Sequence, residues 1–73
     1  MVTIFRLNRI KDVSGVSGVG IVAYGTEYPN GKVTLAWMGN PSSVGVYDSM
    51  KQVVEIHCHG DSSQIEVVSI IRD

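Results

Sequence analysis

This sequence of 73 residues contains few cysteine, proline and aromatic residues, and its net charge is small. The one cysteine, Cys58, excludes an intrachain disulfide and is typical of a reducing compartment such as the cytoplasm. A net charge of −1 provides no broad basic surface for duplex nucleic acid. The apolar runs are too short to cross a bilayer. A signal peptide has an uninterrupted apolar core, whereas Arg6 and Arg9 interrupt the first apolar run of this sequence. We therefore expect a cytoplasmic protein that binds neither duplex nucleic acid nor membrane.

Apolar residues, by contrast, are abundant. Hydrophobic residues make up 44% of the chain and charged residues 18%, which is not the composition of a disordered protein. A chain of this length forms one domain, spanning residues 1–73, with a small core. Because so small a core gains stability from a partner surface, we expect a homo-oligomer.

Alternation of apolar and polar residues predicts five short strands. In the first, Phe5 and Leu7 point into the core and Arg6 points outward. The same alternation puts Arg9 on the core side, so Arg9 belongs at the strand end or at the mouth of a barrel. The predicted strands cover residues 2–10, 19–28, 32–38, 44–47 and 64–71.

Turn and capping residues separate these strands. The run Tyr28-Pro-Asn-Gly-Lys32 predicts a tight hairpin, since proline and glycine suit its successive corners. Gly25 indicates a bulge or bend in the second strand. Ser49 followed by Gln52 is typical of a capping box and predicts a short helix over residues 50–58.

This order of elements predicts a mainly β protein. Five short strands with short connections favour antiparallel neighbours, and the helix falls before the last strand. That arrangement resembles a small antiparallel barrel of the Src-homology-3 type. The alternative is a five-stranded oligonucleotide-binding barrel, whose helix normally lies between the third and fourth strands.

The segment between the first two strands is the most distinctive feature. It reads Asp-Val-Ser-Gly-Val-Ser-Gly-Val-Gly over residues 12–20. Backbone amides of such a segment can form a concave nest for an anion, with hydroxyl groups and nearby arginines as further donors. The residues predicted to bind are Arg6, Arg9, Ser14, Gly15, Ser17, Gly18 and Gly20. The segment lacks the lysine of a phosphate-binding Walker loop, and its alternative interpretation is a surface loop without a ligand.

Three further side chains are candidate ligand contacts. Tyr24 and Tyr47 alternate out of phase with the expected core residues, so both are predicted to be exposed for stacking. His59 is predicted to make a pH-sensitive contact to the ligand. The run from His57 to Asp61 offers imidazole, thiol and carboxylate groups, but no second segment supplies further histidine or cysteine ligands. We therefore predict no metal site and no cofactor.

Several motifs together are similar to a family of small, uncharacterised prokaryotic and bacteriophage proteins. The resemblance is carried by the serine–glycine run and by Val-Ala-x-Gly, Asn-Gly-x-Val, a tryptophan, Pro-Ser, Tyr-Asp-Ser and Ile-His-x-His-Gly, at residues 22–25, 30–33, 37, 41–42, 47–49 and 56–60. Cys58 departs from the family pattern, which has glycine between the histidines. The resemblance implies a phage-type protein, which can act by sequestering a host signalling nucleotide.

These observations predict a non-enzymatic module that binds a small anionic molecule or nucleotide. The alternative is an adaptor that binds a partner protein through its exposed tyrosine and valine side chains. A third reading is a hydrolase with a site between subunits, because one barrel of this size encloses too little space for a dry cleft. No catalytic residue is assigned.

Overall fold

The computed structural model describes residues 1–10, 19–39, 42–58 and 62–72. They form one antiparallel sheet and one short helix. The elements are β1 (Val2–Arg9), β2 (Gly20–Glu27), β3 (Val33–Trp37), β4 (Val44–Tyr47), α1 (Met50–His57) and β5 (Ser63–Ile71). The predicted order is confirmed, and every predicted bound is confirmed to within one residue.

The sheet has the strand order β4-β3-β2-β1-β5, and β1 pairs with both β2 and β5. Closure into a Src-homology-3-type barrel is not confirmed. Strands β4 and β5 are the two ends of the sheet, and the described residues contain no pairing between them. The mainly β class, the antiparallel pairing and the helix before the last strand are confirmed.

One face of the sheet carries the core. Phe5 and Leu7 are fully buried there, and Phe5 pairs across the strands with Gly25 and Val67. Helix α1 covers this face through Val53, which is also fully buried. The fully or nearly fully buried apolar residues are Phe5, Leu7, Ala23, Val33, Leu35, Val53 and Cys58. We call the side covered by α1 the core face and the other side the outer face.

The predicted hairpin turn and helix cap are both present. Gly31 has φ +89° and donates its N–H to the Tyr28 carbonyl at 2.9 Å. At the start of α1, the Gln52 N–H donates to the Ser49 hydroxyl oxygen at 3.2 Å. The Gln52 side chain accepts in return from the N–H of Asp48 at 2.8 Å. Local side-chain chemistry thus determines where β3 and α1 begin.

The bulge in β2 lies elsewhere than predicted. Leu7 pairs with Ala23 and the next residue of β1 pairs with Ile21, so the extra residue is Val22 rather than Gly25. Gly25 has a different role, because a Cβ at this position would clash with the Phe5 ring and lie 2.7 Å from the Thr34 carbonyl oxygen. Glycine is required here for close packing of the aromatic ring against the strand.

Among the described residues, no helix has the length and apolar character needed to cross a membrane.

Candidate functional site

The predicted ligand residues fall into three groups in the structure. Arg9 and Gly20 lie at the end of the sheet where β1 stops and β2 starts. Arg6 and Tyr24 lie on the outer face, and Tyr47 lies on the core face. The remaining predicted residues, Ser14, Gly15, Ser17, Gly18 and His59, lie outside the described residues.

Arg9 is the last residue of β1 and pairs with Gly20 on one side and Ser63 on the other. Directly opposed residues of antiparallel strands project from the same face, so Arg9 and Ser63 share the core face with Leu7. Within the described part of the chain, the partly buried Arg9 side chain makes no ion pair and no hydrogen bond. None of its guanidinium donors is used by a described residue.

Ser63 lies beside Arg9 and is 5% exposed. Its hydroxyl oxygen is buried and has no hydrogen-bond partner. A buried hydroxyl without a partner costs about 1–3 kcal/mol, so its presence calls for an explanation.

The backbone around Ser63 is fixed by the C-terminal end of α1. The Cys58 carbonyl accepts from the Ser62 hydroxyl at 2.7 Å and from the Ser63 N–H at 3.2 Å. The Ile10 N–H donates to the Ser62 carbonyl at 2.8 Å. These bonds satisfy the carbonyl of Cys58, the residue that caps the C-terminal end of α1. We call the group formed by Arg9, Gly20 and Ser63 the sheet-end site.

The sheet-end site was only partly predicted from the sequence. Arg9 was named as a ligand residue and Gly20 as part of the glycine-rich segment, and Gly20 has φ +103°, which favours glycine. Ser63 was missed. The signal was its position at the start of β5, which antiparallel pairing with β1 brings opposite Arg9.

Arg6 differs from Arg9 because its charge is already paired. On the outer face its Nε donates to Glu66 Oε1 at 2.7 Å, and Asn8 Nδ2 donates to Glu66 Oε2 at 3.0 Å. The hydrogen bond to Glu66 raises the pKa of Arg6. The bonds from Asn8 and then Arg6 lower the pKa of Glu66. Arg6 is thus less available to an anion than Arg9 and lies on the opposite face.

This pairing predicts a pH dependence of stability. A carboxyl group whose pKa is lower in the folded chain stabilises it above the unfolded value, about 4.3, and that contribution is lost as the pH falls through the folded value. We expect Glu66→Gln to be less stable than wild type at pH 7 and the difference to shrink in acid. Urea unfolding at a series of pH values measures this. A constant difference down to pH values below the folded pKa would contradict it.

The two tyrosines occupy different environments. Tyr24 is exposed on the outer face, as predicted, and pairs with Arg6 and Ala36. Tyr47 pairs with the buried Val33 and packs against the core, so its predicted exposure is wrong. The exposed residues of β4 are Val44 and Val46, at 67% and 74%.

The Tyr47 hydroxyl instead forms a 2.8 Å hydrogen bond with His57 Nε2. The His57 ring also packs edge-to-face against Trp37 and Tyr47, with ring centroids 4.8 and 5.5 Å apart. This cluster ties the last turn of α1 to β3 and β4, and no sequence pattern had indicated it. Its contacts account for Tyr47 without a ligand.

A family model matches this chain. The model of a family described as Acb5 phage protein matches residues 2–69, nearly the whole chain. No curated protein and no solved structure matches. The expected similarity to a family of small phage proteins is confirmed.

Proposed function

Because the chain belongs to the Acb5 phage protein family, we propose that it is a phage binding protein that captures a small anionic molecule, a nucleotide, without transforming it. The capture site is the sheet-end site. Its role in infection is to sequester a host signalling nucleotide.

The observation that carries this proposal is that two neighbouring polar groups have no hydrogen-bond partner among the described residues. Arg9 has no partner among the described residues, and the buried hydroxyl of its strand neighbour Ser63 has none either. A guanidinium together with a hydroxyl donor matches the oxygens of a phosphate group. Bound phosphate would satisfy both groups at once, whereas neither group has a hydrogen bond within the described part of the free protein.

The glycine-rich segment enters the proposal through its connection to the site. Its residues outside the described part of the chain connect Ile10, which follows Arg9, to Val19, which precedes Gly20. We assign its backbone amides, with the hydroxyls of Ser14 and Ser17, to the phosphate oxygens. Arg6 and Tyr24 are left out of this ligand set because they lie on the other face of the sheet.

Titration calorimetry against inorganic phosphate and a panel of linear and cyclic nucleotides tests the proposal. We expect heat with at least one nucleotide and recovery of that nucleotide unchanged by chromatography after prolonged incubation. A folded sample that gives no heat with any member of the panel would refute binding. A converted nucleotide would instead support an enzyme.

Two neighbouring serines provide a matched pair for the same site. Ser63→Ala removes a buried hydroxyl that has no partner, so we expect the free protein to become about 1 kcal/mol more stable. The same change is expected to weaken nucleotide binding about tenfold. Ser62→Ala removes a hydroxyl that donates to the Cys58 carbonyl, so we expect it to lose about 1 kcal/mol.

Chemical denaturation of both variants measures the opposite changes in stability, and calorimetry measures the nucleotide affinity. If Ser63→Ala lost stability as Ser62→Ala does, the hydroxyl would have a structural partner and the sheet-end site would lose its main support.

A second candidate function rests on the outer face. Tyr24, Ala36 and Val44 lie in one row across three strands, and Val46 adjoins them with 74% exposure. An adaptor would use this surface to bind a partner protein and would carry no small molecule. Native mass spectrometry distinguishes the two, because a nucleotide retained through purification supports the first candidate.

A further inference from the structure

His57 attaches the C-terminal end of α1 to the sheet. A helix of eight residues is not stable alone, so contacts with the sheet determine where its end lies. In the last turn, Val54 and Ile56 are 41% and 46% exposed and contribute little to this attachment. His57 instead bonds to the Tyr47 hydroxyl at 2.8 Å and packs against the Trp37 ring. The bond between Tyr47 and His57 thus fixes the helix end against β3 and β4.

The residue that follows His57 is bonded directly to the sheet-end site. Cys58 caps α1 and is 4% exposed. Its carbonyl accepts from the Ser62 hydroxyl at 2.7 Å and from the Ser63 N–H at 3.2 Å. Ser63 is the strand neighbour of Arg9, and its buried hydroxyl has no partner. The position of that hydroxyl therefore depends on where Cys58, and with it the helix end, is held.

We propose that Tyr47 and His57 are positioning residues for the sheet-end site. Their hydrogen bond holds Cys58 where the Ser63 hydroxyl can donate to a phosphate oxygen. This inference rests on the proposed function, since it concerns the affinity of that same site. A binding group is effective only when its neighbours hold it within about 0.5 Å of the productive geometry. Tyr47 and His57 act through Cys58 rather than by touching the ligand.

Coupling between the helix end and the site is reciprocal, as in any linked equilibrium. If the helix end fixes Ser63, then a nucleotide bound to Ser63 must also fix the helix end. The Cys58 N–H donates to the Val54 carbonyl at 3.0 Å, and the Ser63 N–H donates to the Cys58 carbonyl. We expect bound nucleotide to slow hydrogen exchange at both of these amides, and an unchanged rate at Cys58 would contradict the coupling.

Tyr47→Phe tests the proposal, because it removes the hydroxyl and keeps the ring that packs against His57. The probe is the nucleotide that wild type binds most tightly in the calorimetric panel. We expect its affinity to fall about fivefold, the effect of losing one hydrogen bond. Tyr28→Phe is the matched control. It removes a hydroxyl that bonds to Thr34 Oγ1 at 3.2 Å near the hairpin, and it should leave the affinity unchanged.

Amide hydrogen exchange of the free protein separates positioning from a general loss of stability. In Tyr47→Phe, we expect the Cys58 and Ser63 amides to exchange faster through local opening of the helix end. Amides at the centre of β1, which has a strand on each side, should keep their wild-type rates. A merely structural hydroxyl would instead speed exchange by the same factor at all of these amides, and that result would overturn the proposal.

The outcomes distinguish this inference from the proposed function. If Tyr47→Phe bound the nucleotide as tightly as wild type while Arg9→Ala did not, Tyr47 would have no positioning role and the sheet-end site would be retained. Equal losses in Tyr47→Phe and Tyr28→Phe would also overturn the inference, because the effect would then not depend on α1. A folded wild type that bound no nucleotide would refute the proposed function, and this inference with it.

Discussion

Replacing Arg9 by alanine is expected to weaken nucleotide binding about 100-fold, since charge-assisted hydrogen bonds contribute about 1.5–3 kcal/mol each. The folded structure should be retained. Arg9 ends β1, is partly buried and makes no ion pair or side-chain hydrogen bond with the described residues, so its truncation breaks no such bond to them. Calorimetry gives the affinity, and thermal unfolding gives the stability.

Arg6→Ala is the matched control for this experiment. It removes the same charge from the same strand, three residues away, but its side chain is bound to Glu66 on the outer face. We expect the nucleotide affinity of Arg6→Ala to stay within about twofold of wild type, because the exposed charge acts through screened solvent. Equal losses in the two variants would show that binding depends on overall charge rather than on the sheet-end site.

Gly25→Ala is expected to have the largest effect on stability, a loss of about 3 kcal/mol. A Cβ at this position would overlap the Phe5 ring and lie 2.7 Å from the Thr34 carbonyl oxygen, which belongs to the sheet backbone and cannot move away. Phe5 is fully buried, so its ring has no space into which to withdraw. Urea unfolding measures the loss against a folding free energy of only about 5–15 kcal/mol.

Two further variants make the explanation specific. Gly39→Ala should change stability by no more than about 0.5 kcal/mol, since a Cβ there meets nothing within 4 Å. Phe5→Leu in the Gly25→Ala background should recover part of the loss, because the smaller side chain removes the ring overlap. If the double variant were as unstable as the sum of the two single variants, the clash with the ring would not be the cause.

The elements of the fold could be predicted because each has a local signal. The hairpin at Tyr28 to Lys32 and the cap at Ser49 depend on residues close together in the chain. It was harder to predict which side chains of β4 face the core. In a four-residue strand, Val44 and Val46 fit a core as well as Tyr47 does, and only the pairing of Tyr47 with Val33 decides between them.

The site was predictable in part for the same reason. Arg9 stood out because a charge at the end of an apolar alternation is unusual. Ser63 did not, since a serine at the start of a strand is common and its unsatisfied hydroxyl becomes visible only when β5 is paired with β1. Contacts between residues far apart in the chain, such as Tyr47 with His57 across β4 and α1, leave no periodic trace in the sequence.

The position of β1 between β2 and β5 has a consequence for synthesis of the protein. The bond from Arg6 to Glu66 spans 60 residues, so β1 must wait for the later synthesis of β5 before its second edge is covered. Contacts so distant in the chain form slowly, since the intervening polypeptide must be brought together first. The nascent chain on the ribosome therefore holds an unfinished sheet. Completion of the fold follows release of the β5 segment from the exit tunnel, and until then chaperones have an apolar strand to bind.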